Sequence, residues 1–266
     1  MRSIIAALVT TLAVGGVVLS GIVLLLPSDS EPSEGTAAPP TSSPTTSPMT
    51  ESRGSPAPDD PKDDGDDEFD RTRHSTTDPT SIWVVVNKRH PIQPEDFRPE
   101  EMALVRGYQV AKPAAEPLEQ LLADSDEQGL GFKIGSAFRS YEYQQSVYAD
   151  TVAARGQAAA DQVSARPGHS EHQTGLAVDL VTPDDPACSF ETCFGETPGG
   201  RWLAENAWRY GFIIRYQRSL TEITGYSYEP WHLRFVGRPL AAELRRTGIA
   251  TLEEFFDIPG GDYGAG

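Results

Sequence analysis

The sequence turns on Pro167-Gly168-His169-Ser170-Glu171-His172-Gln173-Thr174-Gly175-Leu176-Ala177-Val178-Asp179, which Glu229-Pro230-Trp231-His232 answers some fifty residues later. Two histidines, an aspartate and a glutamate are the components of a catalytic zinc centre: three ligands, an open position for water and a carboxylate to move protons. Leu176 to Val181 reads as a strand, with Leu176, Val178 and Leu180 on one face and Ala177 and Asp179 on the other. His172 and Asp179 are an odd step apart, so one uninterrupted strand would point them to opposite faces. Gly175 between them lets His172 approach from a loop instead. Glu229 and His232 are also an odd step apart, but Pro230 cannot donate to a ladder and marks an edge or a bulge, so both side chains can reach one metal.

A lone strand aspartate is usually solvated, and a lone histidine is usually a structural or surface residue. The combination changes that reading, because Asp179 interrupts an apolar strand inside a motif that carries two histidines. His169 competes with His172 on sequence grounds and reads better as a pocket-wall or surface residue. His74 and His90 fall in a tether and an early loop.

Outward from the motif, Ile82 to Val86 reads as a buried strand, followed by a proline-punctuated loop to about Pro99. Lys112 to Ser125 has helical spacing, with Pro113 and Pro117 confining the helix proper to the residues after them. Gly131 to Phe138 alternates like a strand with Arg139 at its end, and Ser140 is placed to cap a helix running to about Arg155. Ala158 to Ala165 and Arg201 to Tyr210 read as helices, Phe212 to Tyr216 and Tyr228 to Val236 as strands, and Gly237 to Arg246 and Thr251 to Phe256 as terminal helices. With no repeated βαβ pattern and no internal repeat, the fold class is α+β with a mainly antiparallel sheet flanked by helices.

The chain of 266 residues is uneven along its length. Ile4 to Leu26 is an uncharged apolar run of 23 residues, long enough to cross about 30 Å of hydrocarbon. A signal anchor is the expectation for 1–26, with a cleaved signal peptide as the alternative; Arg2 marks the cytoplasmic side and places the rest outside. Residues 27–80, rich in Pro, Ser, Thr and Asp, hold 13 acidic and 4 basic side chains, about half of the formal net charge of -17. Such a segment buries too little to fold and is expected to be a disordered tether; its acidic run lacks the glycine and glutamate positions of an EF-hand loop. One domain is left at 81–257, with a frayed tail at 258–266. The acidic balance argues against nucleic acid as a partner, since phosphate binding needs Lys and Arg. Cys188 and Cys193, the only cysteines, read as a disulfide in an exported domain, closing a small loop that helps wall the cleft.

Ser170-x-His172-x-x-Gly175-x-Ala177-x-Asp179, with Glu229-Pro230-Trp231-His232 downstream and Ser136-Ala137-Phe138-Arg139-Ser140-Tyr141-x-x-Gln144 upstream, resembles the VanY-type zinc D-alanyl-D-alanine carboxypeptidases over about Trp83 to Gly237. The resemblance implies a Hedgehog/DD-peptidase-like fold and an enzyme of the bacterial cell envelope that trims the terminal D-alanine from peptidoglycan stem peptides. It implies that His172, Asp179 and His232 bind one Zn²⁺, that Glu229 is the general base, and that Arg139 holds or polarises the substrate. Ser170 and Gln144 take weaker substrate-binding roles. The family usually has an aromatic residue where His169 stands. An L,D-carboxypeptidase or a cross-link endopeptidase could use the same metal site, and a binding module for wall peptides is the non-catalytic alternative, against which the intact Glu229 argues.

Overall fold

The computed structural model describes residues 68–264. The apolar run at 4–26 and most of the tether expected at 27–80 lie outside the described residues. Among those described, no helix is long and apolar enough to cross a membrane.

Regular structure begins with a hairpin, β1 (Met102–Val105) and β2 (Tyr108–Ala111), turned by Arg106 and Gly107 at φ 49° and 89°. Positive φ at both central residues matches the twist of the flanking strands. The sequence reading assigns nothing here, because each strand has only four residues and neither alternates cleanly. α1 (Lys112–Glu127) follows, burying Ala114, Leu118, Leu121 and Leu122 along one stripe. Pro113 sits in the first turn, where its missing N–H is no loss. The helix runs on through Pro117, which forfeits one backbone bond, so it starts earlier than the prolines imply.

β3 (Lys133–Ser136) leads to Ser140, whose hydroxyl accepts the Tyr143 N–H and caps α2 (Tyr141–Arg155). Then come α3 (Gln157–Val163), β4 (Ala177–Val181), α4 (Pro198–Asn206), β5 (Phe212–Tyr216), α5 (Thr221–Thr224), β6 (Glu229–Phe235), α6 (Arg238–Thr247) and α7 (Leu252–Phe256). The main sheet has the order β3-β4-β6-β5 and is antiparallel throughout. Its register sets Ser136 opposite Asp179 and Asp179 opposite His232. Residues directly opposed in an antiparallel ladder share a face, so the ladder itself brings aspartate and histidine together.

One core packs α1 and α4 on the sheet through Leu118, Leu121, Phe132, Leu180, Leu203 and Phe212. A second gathers Trp83, Val85, Val236, Leu240, Leu244 and Phe255. Residues 82–86 join the two, Val84 and Val86 entering the first and Trp83 and Val85 the second. They are not the strand the apolar run predicts: their backbone bonds go to local turns, Val84 N–H to Ser81 O and Val85 N–H to Thr76 O. The folded part also begins before Ser81. Phe69 stacks on Trp83 at 5.6 Å, Arg71 Nη1 donates to Phe255 O at 2.6 Å, and the His74 ring meets Trp83 edge-on at 4.7 Å. Two aromatic rings in a polar stretch find an apolar surface that no local pattern announces. The expected tail is held too: Gly261 N–H donates to Ile223 O, Asn87 Nδ2 to Pro259 O, and Lys88 pairs with Asp262 at 3.1 Å.

Candidate metal centre

His172 stands in a short 3-10 turn, Glu171–Thr174, which Gly175 ends in the left-handed conformation at φ 69°. A Cβ at Gly175 would lie 2.8 Å from the Ala111 nitrogen, so only glycine lets the turn seat against the end of β2. Asp179 comes from the middle of β4 and His232 from β6. The β5–β6 register slips between Ile214 and Tyr216, where Ile214 faces Leu233 but Tyr216 faces Glu229. Extra β6 residues are thereby bulged out around Pro230, and the Glu229 carboxylate swings to 3.8 Å from His232 Nδ1 despite the odd spacing.

His172, Asp179 and His232 are buried and offer ligand atoms within 4.8 Å of one another. His172 Nδ1 lies 2.8 Å from the Ala137 carbonyl, which fixes a proton on Nδ1 and leaves Nε2 as a lone pair 3.2 Å from Asp179 Oδ2. His232 is turned the other way: Nε2 faces Glu171 Oε2 at 3.4 Å, and Nδ1 faces Asp179 Oδ1 at 3.0 Å. Each ring therefore spends its outer nitrogen on an acceptor and directs an inner lone pair at a carboxylate. Asp179 Oδ1 is buried without a hydrogen-bond partner. Three converging acceptors repel unless a cation sits among them, and two nitrogens with a carboxylate oxygen suit Zn²⁺. The outer acceptors also fit, since metal-ligating histidines characteristically donate their second N–H to a carboxylate or carbonyl.

Without a metal, protons respond to the same geometry. Burial disfavours charge on His232, but Asp179, Glu171 and Glu229 outweigh it and raise its pKa to about 9. Burial lowers His172, with Arg139 adding to the effect against Asp179. Asp179 is held well below the usual carboxylate range because the two histidines overcome its desolvation. Burial, reinforced by Asp179, pushes Glu229 up to about 8 against the pull of His232 and Arg139. Metal binding must then displace a proton.

The centre opens into a cleft of about 710 Å³. Ser136, Arg139, Gln144, Ser170 and Glu229 line it, with α2 along one wall. Arg139 Nε is buried and unpartnered, and the guanidinium forms no ion pair among the described residues. Gln144 Nε2 donates to Ala165 O at 2.6 Å, leaving Oε1 buried without a partner. Ser170 is 5 % exposed. His169 lies outside the cleft: its Nδ1 is 2.9 Å from Asn87 O, and its ring meets Tyr263 edge-on.

Residues 107–238 match the family model of the VanY D-alanyl-D-alanine carboxypeptidases. YodJ of Bacillus subtilis (strain 168), which carries the name of a carboxypeptidase, is 34% identical over 189 residues, covering 67% of this chain and 68% of that protein. The bifunctional D-Ala-D-Ala dipeptidase and carboxypeptidase VanXYC of Enterococcus gallinarum is 31% identical over 182 residues, or 65% of this chain and 92% of its own. This chain belongs to the VanY family. Solved structures agree: a VanY D,D-pentapeptidase mutant of the VanB-type vancomycin-resistance cassette, in complex with Zn(II), is 35% identical, with a TM-score of 0.56 over 65% of this chain and 97% of that one. An LdcB LD-carboxypeptidase is 33% identical, with a TM-score of 0.62 over 69% and 89%. The protein is accordingly a metallopeptidase of the D-alanyl-D-alanine carboxypeptidase type.

This VanY-family centre rests on a group the sequence reading gives no role. Glu171 is fully buried, and its Oε1 accepts from Arg215 Nε and Arg234 Nη1, both at 2.8 Å. Arg215 in turn grips both oxygens of Glu253, at 2.8 and 2.6 Å. The arginines overcome desolvation and hold the Glu171 carboxyl far below its usual range, so it stays charged beside His232. The available signal was an arginine inside each of two apolar strands, Phe212-Ile213-Ile214-Arg215-Tyr216 and Leu233-Arg234-Phe235. A buried charge in a strand needs a partner. The VanY-family domain also carries the expected Cys188–Cys193 disulfide.

Proposed function

We infer that the chain is a zinc-dependent D,D-carboxypeptidase that removes the terminal D-alanine from peptidoglycan stem peptides. The observation that carries this is the inward-facing set of His172 Nε2, His232 Nδ1 and Asp179, with the Glu229 carboxylate 3.8 Å from the same His232 nitrogen. These three residues hold the metal, which when bound supplies Lewis acidity and brings the pKa of water to about 7. Glu229 takes the proton from the attacking water and returns it to the leaving amine of D-alanine, so one carboxylate serves as base and then acid. Arg139, desolvated and unpaired, supplies positive charge where the oxyanion or the terminal carboxylate lies. Gln144 Oε1 offers an acceptor to a substrate N–H, and Ser170 a hydroxyl close to the metal ligands. No side chain forms a covalent acyl-enzyme. Residues 1–26 would place this activity outside the membrane, at the cell envelope.

The similarity to the LdcB LD-carboxypeptidase and to an L,D-carboxypeptidase DacB, 39% identical, supports a second reading with the same metal chemistry and L,D specificity. Both are tested by incubating the protein with pentapeptide and tetrapeptide stems, with and without chelator, and identifying products by mass. Release of one D-alanine from the pentapeptide, abolished by chelation and restored by zinc, is the expected result. Cleavage of the tetrapeptide alone moves the assignment to the L,D class.

A further inference from the structure

The Lys88 side chain is 1% exposed, and an ammonium is costly to bury without partners. Its partners come from the far end of the described chain and from the lining of the metal cleft. Nζ pairs with Asp262 Oδ1 at 3.1 Å and lies 4.9 Å from the Tyr226 ring centroid and 5.2 Å from that of Tyr263. The turn that carries Asp262 and Tyr263 sits closely on α5: Gly261 N–H donates to Ile223 O at 2.7 Å, and a Cβ at Gly225 would collide with the Gly261 carbonyl. Lys88 and Tyr263 both lie outside the residues, 107–238, that match the VanY family.

Tyr263 has a second set of partners. Its hydroxyl accepts the Arg166 N–H at 2.8 Å, its ring lies 3.9 Å from the Arg166 guanidinium, and the His169 ring meets it edge-on at 5.2 Å. Arg166 is itself fixed: Nε and Nη2 donate to Asp161 of α3 at 3.0 and 2.9 Å, and Tyr148 of α2 donates to the same carboxylate at 2.7 Å. These ties matter because α2 and α3 line the metal cleft through Gln144, Val147 and Val163 yet bury little, Gln144 being the buried residue of α2 and Ala160 that of α3. Apolar packing therefore does little to place the two helices, and specific contacts must do so. Another stretch of the lining, Tyr226 to Glu229, ends on the general base. Ser227 N–H donates to Gln162 O at 3.2 Å, so the two stretches meet there through the backbone. Tyr263 joins them a second time through side chains, with Arg166 on one side and the Lys88–Tyr226 pair on the other.

We propose that Tyr263 is a positioning residue for the carboxypeptidase reaction. Held between Arg166 and the Lys88–Tyr226 pair, it fixes the α2–α3 part of the cleft lining relative to Tyr226–Glu229, and so sets how closely the cleft fits the bound peptide. Lys88 acts with it by drawing the Tyr226 and Tyr263 rings to one cation. This rests on the carboxypeptidase reading above and adds to it a contact, remote from the metal, that governs peptide binding.

The test uses the full chain loaded with zinc and whichever of the pentapeptide and tetrapeptide stems the wild type cleaves. Tyr263→Ala is expected to lower kcat/KM about tenfold through KM, as a small displacement of binding groups does, with kcat and zinc content within about twofold of wild type. Tyr263→Phe keeps the ring against Arg166 and Lys88 and is expected to recover most of the loss. Lys88→Met is expected to raise KM about threefold, the size of a weakened cation–π contact. In a Glu229→Ala background, where the peptide stays intact, the same substitutions are expected to raise its dissociation constant in parallel. A Tyr263→Ala protein with a lower urea midpoint but unchanged KM makes the residue merely structural and overturns the inference, as does a loss confined to kcat; the proposed activity then still stands. Should Tyr263→Ala fail to fold, Lys88→Met decides, and an unchanged KM there overturns the inference. A zinc-loaded wild type that cleaves neither peptide overturns the carboxypeptidase reading and the inference with it.

Discussion

At the scale of single residues, Glu229 carries the sharpest expectations. Glu229→Ala is expected to retain zinc, since all three candidate ligands remain, and to lose turnover by about 10²- to 10⁴-fold. Metal analysis alongside steady-state rates checks both halves. The metal-free protein gives a second, independent test. Burial raises the Glu229 carboxyl to about 8, well above its ordinary 4.5, so folding favours the neutral acid. Stability from that preference is complete below about pH 4.5 and is lost as pH rises through 8. Glu229→Gln is therefore expected to raise the melting temperature of the metal-free protein at pH 8.5 and to leave it nearly unchanged at pH 4.5. At this scale His172, Asp179, His232 and Glu229 were legible, because each is a polar group in an apolar or turn-bounded setting. Glu171 was hidden beside them: its partners come from 44 and 63 residues further on, and nothing next to it in the chain foretells two arginines.

At the scale of elements, the centre depends on strands that carry charge through the core. Glu171 lies on the turn, Arg215 on β5, Arg234 on β6 and Glu253 on α7. Arg234 also donates to the Ile82 and Val84 carbonyls, at 3.1 and 2.8 Å, which occupies the free backbone of the extended 82–86 segment. Removing the central anion leaves two buried guanidinium groups short of charge, so Glu171→Gln is expected to destabilise the protein by about 3 kcal/mol. It also loosens the ring of His232, and zinc affinity is expected to fall about 10- to 100-fold, as for other outer-sphere partners of metal ligands. Urea midpoints and competition with a chelating dye measure the two effects separately. An equal loss of stability with unchanged zinc affinity would mean that His232 is oriented without Glu171. The strands of the main sheet were readable from alternation and β-branched content, as was the cap at Ser140. The β1–β2 hairpin was too short to show a period, and 82–86 had a strand's composition while its hydrogen bonds were met by turns and by Arg234.

At the scale of the whole molecule, both ends of the described chain close on α7. Phe69, Arg71 and Trp83 pack against Phe255 and Phe256 from the amino-terminal side, while Asn87 holds both Glu253 and the Pro259 carbonyl. Composition placed 68–80 in a tether because a local count of apolar residues cannot see the surface that a distant helix offers. A contact path runs from Phe69 through Phe255 and Glu253 to Arg215, Glu171 and His232, and magnitudes decide whether it matters to the metal. Phe69→Ala removes one half-buried ring and is expected to lower stability by about 1 to 3 kcal/mol. Glu253 keeps two bonds from Arg215 and one from Asn87 when that ring is gone, each charge-assisted bond being worth more than the aromatic contact that is lost. Zinc affinity in Phe69→Ala is therefore expected to stay within about twofold of wild type while the urea midpoint falls. A parallel loss of zinc affinity would show that α7 moves as a unit with the amino-terminal arm, and that the metal centre senses packing as well as its own hydrogen bonds.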